Sequence, residues 1–112
     1  MLNINEMEKN EILEILQKYA PKGQVVAFGS RCKGTNRKFS DLDLAFIKTD
    51  KTLLTISETA ELRLAFEESE LDFRVDIVDY WGTTDNFRKI IDENCVEIYD
   101  SEAVSSNVGF NH

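Results

Sequence analysis

The chain reads as one α/β domain with helices packed against a sheet. Three observations carry that reading. Its 112 residues suffice for one modest core and not for two. Along residues 1–100, segments with helically spaced apolar residues alternate with short β-branched and aromatic runs. The composition, 42% hydrophobic and 30% charged with a single proline, is that of an ordinary globular protein.

The elements follow in order. "NEMEKNEILEILQKYA" places Ile12, Ile15, Leu16 and Tyr19 on one helical face, and Pro21 and Gly23 end it. "QVVAF" (24–28) is a short strand. The chain turns at Gly29, and "SRCKG" starts a short helix with Ser30 near its N-cap. "SDLDLAFI" (40–47) alternates, so Leu42, Leu44 and Phe46 face a core while Asp41, Asp43 and Ala45 face the other way. "TISETAELRLAFEESE" opens with Thr55 and Glu58 at capping-box spacing and sets Leu62, Ala65 and Phe66 on one face. "FRVDIVDYW" (73–81) is a strand. "TTDNFRKIIDEN" is a helix capped by Thr84, with Phe87, Ile90 and Ile91 on its apolar side. "CVEIY" is a last strand. Residues 1–100 thus form the domain, and 101–112, "SEAVSSNVGFNH", a polar tail, frayed or used for contacts, whose Val104, Val108 and Phe110 have no evident core to join.

A net charge of −8 makes the chain a poor general binder of nucleic acid, which needs a surplus of cations. No apolar run approaches the roughly 20 residues of a membrane span, and the acidic start "MLNINEMEKNE" lacks the order of a signal peptide. Two cysteines make neither a disulfide scaffold nor a metal-spacing pattern. The expectation is a cytoplasmic protein without direct nucleic-acid contacts. Cys32 lies between Arg31 and Lys33, a setting that lowers a thiol pKa, but no catalytic base accompanies it and it reads as an exposed thiol.

Against this acidic background, one stretch is basic. After Gly29-Ser30 come Arg31, Lys33, Arg37 and Lys38, and then Asp41-Leu42-Asp43. On a strand, Asp41 and Asp43 share a face with Cα atoms about 6–7 Å apart, from the ~3.3 Å rise per residue. Carboxylates that close repel unless a cation lies between them, and hard oxygen donors suit Mg²⁺, which takes one or two carboxylates plus substrate phosphates. A strand ending in Gly29-Ser30 before a helix offers backbone N–H groups and a hydroxyl to an anion. Gly29 lets a phosphate approach the backbone, and the four basic residues supply neutralising charge. Singly, these features read as a helix cap, a solvated loop and a polar strand start. Together they read as a triphosphate cradle followed by a metal-ligand pair.

Gly29-Ser30, ten residues, then Asp41-Leu42-Asp43 reproduces the GS-x10-D-x-D signature of the DNA-polymerase-β-like nucleotidyltransferases. With "RVDIVDYW" downstream, residues 10–100 resemble the minimal nucleotidyltransferases (MNT proteins), small stand-alone palm domains usually encoded beside a helical HEPN partner. The resemblance implies a mixed sheet, two Mg²⁺ ions held by Asp41 and Asp43, and a third carboxylate from a later strand, matched here by Asp76. Residue pattern alone leaves Asp76 and Asp79 open: three apart, they face opposite sides. Val75 and Ile77 mark one face as core and Asp76 points away from them. Asp79 falls on the Val75 side near the strand end, within reach of solvent. Pattern and resemblance agree on Asp76.

The chemistry so implied is attack of an acceptor hydroxyl on the α-phosphate of ATP, with loss of pyrophosphate. His112, in the tail, is no candidate base. The chain is short for a palm plus an acceptor-binding domain, so a partner is expected to complete the acceptor site. MNT proteins act as antitoxins that transfer AMP to a tyrosine of a HEPN toxin, which makes a type VII-like protein adenylyltransferase antitoxin the leading expectation. Two others stay open: an antitoxin acting by contact alone, and a two-component enzyme modifying a small molecule held by its partner. Three carboxylates disfavour pure binding, which requires none of them.

Overall fold

In the computed structural model the described residues are 2–33, 40–93 and 95–102, without the side chain of residue 33. The order is α1 (Glu6–Tyr19), β1 (Gly23–Phe28), α2 (Ser30–Lys33), β2 (Leu42–Lys48), α3 (Ile56–Glu67), β3 (Val75–Asp79), a 3₁₀ turn (Tyr80–Gly82), α4 (Asp85–Glu93) and β4 (Val96–Asp100). The four strands form one mixed sheet in the order β3-β2-β1-β4. β1 pairs antiparallel with β2 and β4, and β2 pairs parallel with β3 through the α3 crossover.

Local signals place the helices. Thr55 accepts from Glu58 N–H at 3.0 Å while the Glu58 carboxylate accepts from Thr55 N–H at 2.8 Å, the expected capping box. Asn5 and Glu8 form a second box at the start of α1. Thr84 Oγ1 accepts from Phe87 N–H and caps α4.

The alternation of β2 divides the core into two layers. Leu42, Leu44 and Phe46 join Val25, Ala27 and Val75 on the face covered by α1 and α3, where Ile12, Leu16, Leu62 and Phe66 are buried. Each large apolar side chain enclosed there contributes about 1.5–3 kcal/mol. On the opposite face, Val26, Phe28 and Ala45 pack against Ile91 of α4. α4 covers only part of that face. Ile90, expected on the helix's apolar side, is 51% exposed.

β3 is shorter than the strand expected over 73–81. Trp81 Nε1–H donates to the Lys48 carbonyl at 3.0 Å, which pulls the chain out of the sheet plane and into the 3₁₀ turn. At that turn Gly82 lies against Asp79, where a Cβ would come within 3.2 Å of Oδ2.

Candidate active site

The site lies at one end of the sheet, where β1 finishes and β2 and β3 begin. Phe28, Asp43 and Asp76 are Cα partners across β1, β2 and β3. Partners in register share a face, so parallel pairing sets the Asp43 and Asp76 carboxylates side by side, about one strand spacing of 4.8 Å apart. Both lie on the face that α4 half covers, opposite Leu42, Leu44 and Val75.

The turn after β1 closes on them. Gly29 has φ +87°, a left-handed conformation, and a Cβ there would sit 2.3 Å from Asp43 Oδ2. Glycine is required on both counts, because the backbone of the turn rests directly on a carboxylate. α2 is a single turn, and Ser30 is its first residue. Among the described residues the Ser30 hydroxyl caps no helix, which leaves it available to a ligand.

Arg74 supplies the cation among these carboxylates. Its NH2 lies 3.0 Å from Asp41 Oδ2 and its Nε 3.2 Å from Asp76 Oδ1. The Arg74 side chain is 71% exposed, so these ion pairs hold the carboxylates loosely. Arg74 stands two residues before Asp76 in the sequence, and the fold adds its bridge to Asp41. Asp43 has no such partner. Burial, then the Asp76 and Asp41 carboxylates and a hydrogen bond with Asp76, push its pKa up to about 6, and Arg74 only partly opposes them.

The remaining basic residues separate. Arg31, expected to neutralise phosphate, is instead built into the fold at 4% exposure. Its Nε donates to the Ser40 carbonyl and its NH1 to the Asn3 carbonyl, each at 2.9 Å, and its guanidinium lies 4.1 Å from the centroid of the Phe73 ring. It clasps the segments just before Asp41 and just before Arg74, and so positions the carboxylates rather than a ligand. Arg37, Lys38 and the Lys33 side chain lie outside the described residues. Cys32 is half-buried against the core, and burial pushes its thiol up, contrary to the lowering its basic neighbours suggested.

Asp79 is only partly exposed. Its Oδ2 accepts from Leu54 N–H at 2.9 Å, and its Oδ1 is buried without a partner. It ties the loop before α3 to the end of β3, which leaves Asp76 as the carboxylate on the open face.

A cleft of about 930 Å³ joins these parts, lined by Phe28, Gly29, Asp43 and Asp76 together with Phe87 and Ile90 of α4. Its size suits a nucleotide-scale ligand. Among the described residues no three acidic, histidine or cysteine side chains are already drawn together as a metal site. The donor chemistry nevertheless fits a hard cation: Asp43 and Asp76 are adjacent oxygen donors on neighbouring strands.

Residues 10–103 match the family model described as "Polymerase beta, Nucleotidyltransferase". The chain belongs to that family and is a nucleotidyltransferase. It is 42% identical over 101 residues to the Haemophilus influenzae protein named "Probable protein adenylyltransferase MntA", an alignment covering 90% of this chain and 87% of that one. Its fold matches a chain of a solved toxin–antitoxin structure with AMP-PNP, at a TM-score of 0.68 and 24% identity, over 93% of this nucleotidyltransferase and 87% of that chain. It also matches a chain from the complex of a tri-AMPylated Shewanella oneidensis HEPN toxin with its MNT antitoxin. There the TM-score is 0.65 and the identity 19%, over 92% and 78% of the two chains. The mixed sheet and minimal palm expected from the sequence are those of this fold. No helix among the described residues is long and apolar enough to cross a membrane.

Proposed function

We propose that this nucleotidyltransferase is a cytoplasmic antitoxin that transfers AMP from ATP to a tyrosine hydroxyl of a HEPN-type toxin. The observation that carries the reading is the pairing of Asp43 with Asp76 beneath the Gly29 turn, at the floor of a cleft of nucleotide size. The identity to a protein named as an adenylyltransferase supports the choice of group transferred. The fold match to a complex with an AMPylated HEPN toxin supports the choice of acceptor.

In this reading the triphosphate lies along the backbone N–H groups and hydroxyl at Gly29 and Ser30, with Lys33, Arg37 and Lys38 adding positive charge. The acceptor oxygen bonds to the α-phosphorus, the α–β phosphoanhydride bond breaks, and pyrophosphate leaves with the bonding pair. The hydroxyl proton passes to the carboxylate cluster and on to solvent. Asp41, Asp43 and Asp76 would hold two Mg²⁺ ions, which supply charge neutralisation for the attacking and leaving oxygens. The protein's share is positioning: Arg74 and Arg31 hold the carboxylate-bearing segments, and the Gly29 turn sets the phosphates against them.

The test is incubation with labelled ATP, Mg²⁺ and the product of the adjacent reading frame, followed by mass spectrometry of both chains. AMP on a partner tyrosine is the expected result. An unmodified partner whose RNase activity is nonetheless suppressed would assign neutralisation by contact, and AMP found on a small molecule would assign the two-component enzyme.

A further inference from the structure

We propose that the base of the nucleotide lies in an apolar slot under α4, with Phe87 and Ile90 as its wall and Val78 as its floor. The slot selects purines over pyrimidines by contact area. This rests on the transferase reading above and adds to it the place of the base.

The strand register lays out the floor of the cleft in rows. Phe28, Asp43 and Asp76 form one row, and Val26, Ala45 and Val78 form the next on the same face. Two residues of rise put the second row about 6–7 Å from the first, a separation that a ribose bridges. α4 covers this second row unevenly. Ile91 is fully buried and packs with Val26, Phe28 and Ala45, whereas Val78, on the β3 side, stays partly exposed. Phe87 is half-buried and stands edge-on to Phe28, with ring centroids 5.8 Å apart. Ile90, one turn further along α4, is 51% exposed. An isolated exposed isoleucine is ordinary. Here Ile90, Phe87 and Val78 line the same cleft as Asp43 and Asp76. Phe28 directly precedes Gly29, so the wall begins one residue from the turn on which the phosphates rest in this reading.

Charge separates the two directions that lead away from the carboxylates. Around the edge of β3 the cleft is lined by Arg63 and Glu67 of α3 together with Arg74, which is paired with Asp41 and Asp76. A flat, uncharged base gains little against that bank, which suits the surface of a protein acceptor. On the α4 side the charged residues point elsewhere. Arg88 pairs with Asp85 and donates to the Thr83 carbonyl, Asp92 accepts from the Tyr80 hydroxyl, and Lys89 and Glu93 do not line the cleft. Among the described lining residues, no side chain beyond the carboxylate row offers a donor or acceptor there. The slot therefore reads the area of a base and not the pattern of its edge. Two fused rings cover more of an apolar wall than one ring does, and the gain follows the area covered.

The experiment is calorimetric titration, in Mg²⁺, of ATP, UTP and inorganic tripolyphosphate into wild type and Ile90→Ser. Tripolyphosphate keeps the phosphates and lacks ribose and base. Ile90 is exposed, so the variant should keep its fold, which circular dichroism checks. Wild type should bind ATP at least about fivefold tighter than UTP and at least about tenfold tighter than tripolyphosphate. Ile90→Ser should lose most of both margins, with tripolyphosphate affinity unchanged. Equal binding of all three by wild type overturns the slot and leaves the transferase reading standing, because the phosphates still dock. Wild type that binds none of the three overturns that reading and the slot with it. Undiminished margins in Ile90→Ser overturn the slot alone. So does a variant that keeps its ATP affinity but shows a raised KM for the acceptor protein, since the wall would then hold the acceptor.

Discussion

The two ends of β3 carry the same residue type in opposite circumstances. At its start Asp76 stands beside Asp43 on the half-covered face, held loosely by an exposed arginine. At its end Asp79 is half-buried and tied down, one oxygen accepting from Leu54 N–H and the other buried without a partner. The three-residue offset puts them on opposite sides of one strand, and what each side meets decides the role. Asp76 faces a cleft that α4 leaves open, whereas Asp79 faces the loop that leads into α3. A carboxylate in the first setting is available to a ligand, and in the second it is a strut.

The sharpest way to break this comparison is to neutralise each end in turn. Asp76→Asn or Asp43→Asn should lower AMP transfer by about 1000-fold or more, since metal-assisted charge stabilisation contributes several kcal/mol, while the fold remains intact by circular dichroism. Transfer at the wild-type rate in either variant would remove these carboxylates from the chemistry. Asp79→Ala should act on stability instead. Losing the acceptor for Leu54 N–H costs about 2 kcal/mol, or roughly 10 °C in Tm for a domain of this size, with the transfer rate of the folded fraction near normal. If Asp79→Ala abolished transfer in a protein that melted normally, the assignment of the two ends would be reversed.

Ser30→Ala sharpens the contrast at a smaller scale. Because the Ser30 hydroxyl caps no helix among the described residues, Tm should hardly move, while ATP affinity, measured by calorimetry, falls several-fold. A loss of about 1 kcal/mol in stability with unchanged affinity would make it a cap after all.

How much of this was legible in the sequence follows from how far each residue's partners lie along the chain. Asp41 and Asp43, the Thr55–Glu58 box and the Thr84 cap depend on neighbours two to four positions away, and strand alternation or capping geometry suffices to read them. Asp76 is the borderline case: alternation gives its face, but only the parallel register sets it beside Asp43. Arg31 was not legible. In the sequence it is one of four basic residues, and only the fold brings Asn3, Ser40 and Phe73 around it. The same holds for Asp79, whose partner is 25 positions away, and for Ile90, whose exposure depends on how much of the sheet α4 covers.

The smallest effect separates the members of the carboxylate cluster itself. Asp43 has a folded pKa of about 6, raised by burial and by the Asp76 and Asp41 carboxylates, against an unfolded value of about 3.9. Between those values the folded state holds a proton that the unfolded chain has released, so stability in metal-free buffer falls as pH rises from about 4 to about 6. Asp43→Asn lacks this dependence. Urea unfolding in EDTA should therefore give wild type and Asp43→Asn similar stability at pH 4. At pH 7 the variant should lead by about 1 kcal/mol, a figure reduced for the partial exposure of the site. Asp41→Asn should show no such gain, because Asp41 already has Arg74 for a partner. Adding Mg²⁺ at pH 7 should raise the stability of wild type and leave Asp43→Asn nearly unchanged. Equal pH profiles for wild type and Asp43→Asn would mean that the charge at Asp43 is already balanced, and the contrast between an open, cation-seeking start of β3 and its closed end would lose its electrostatic half.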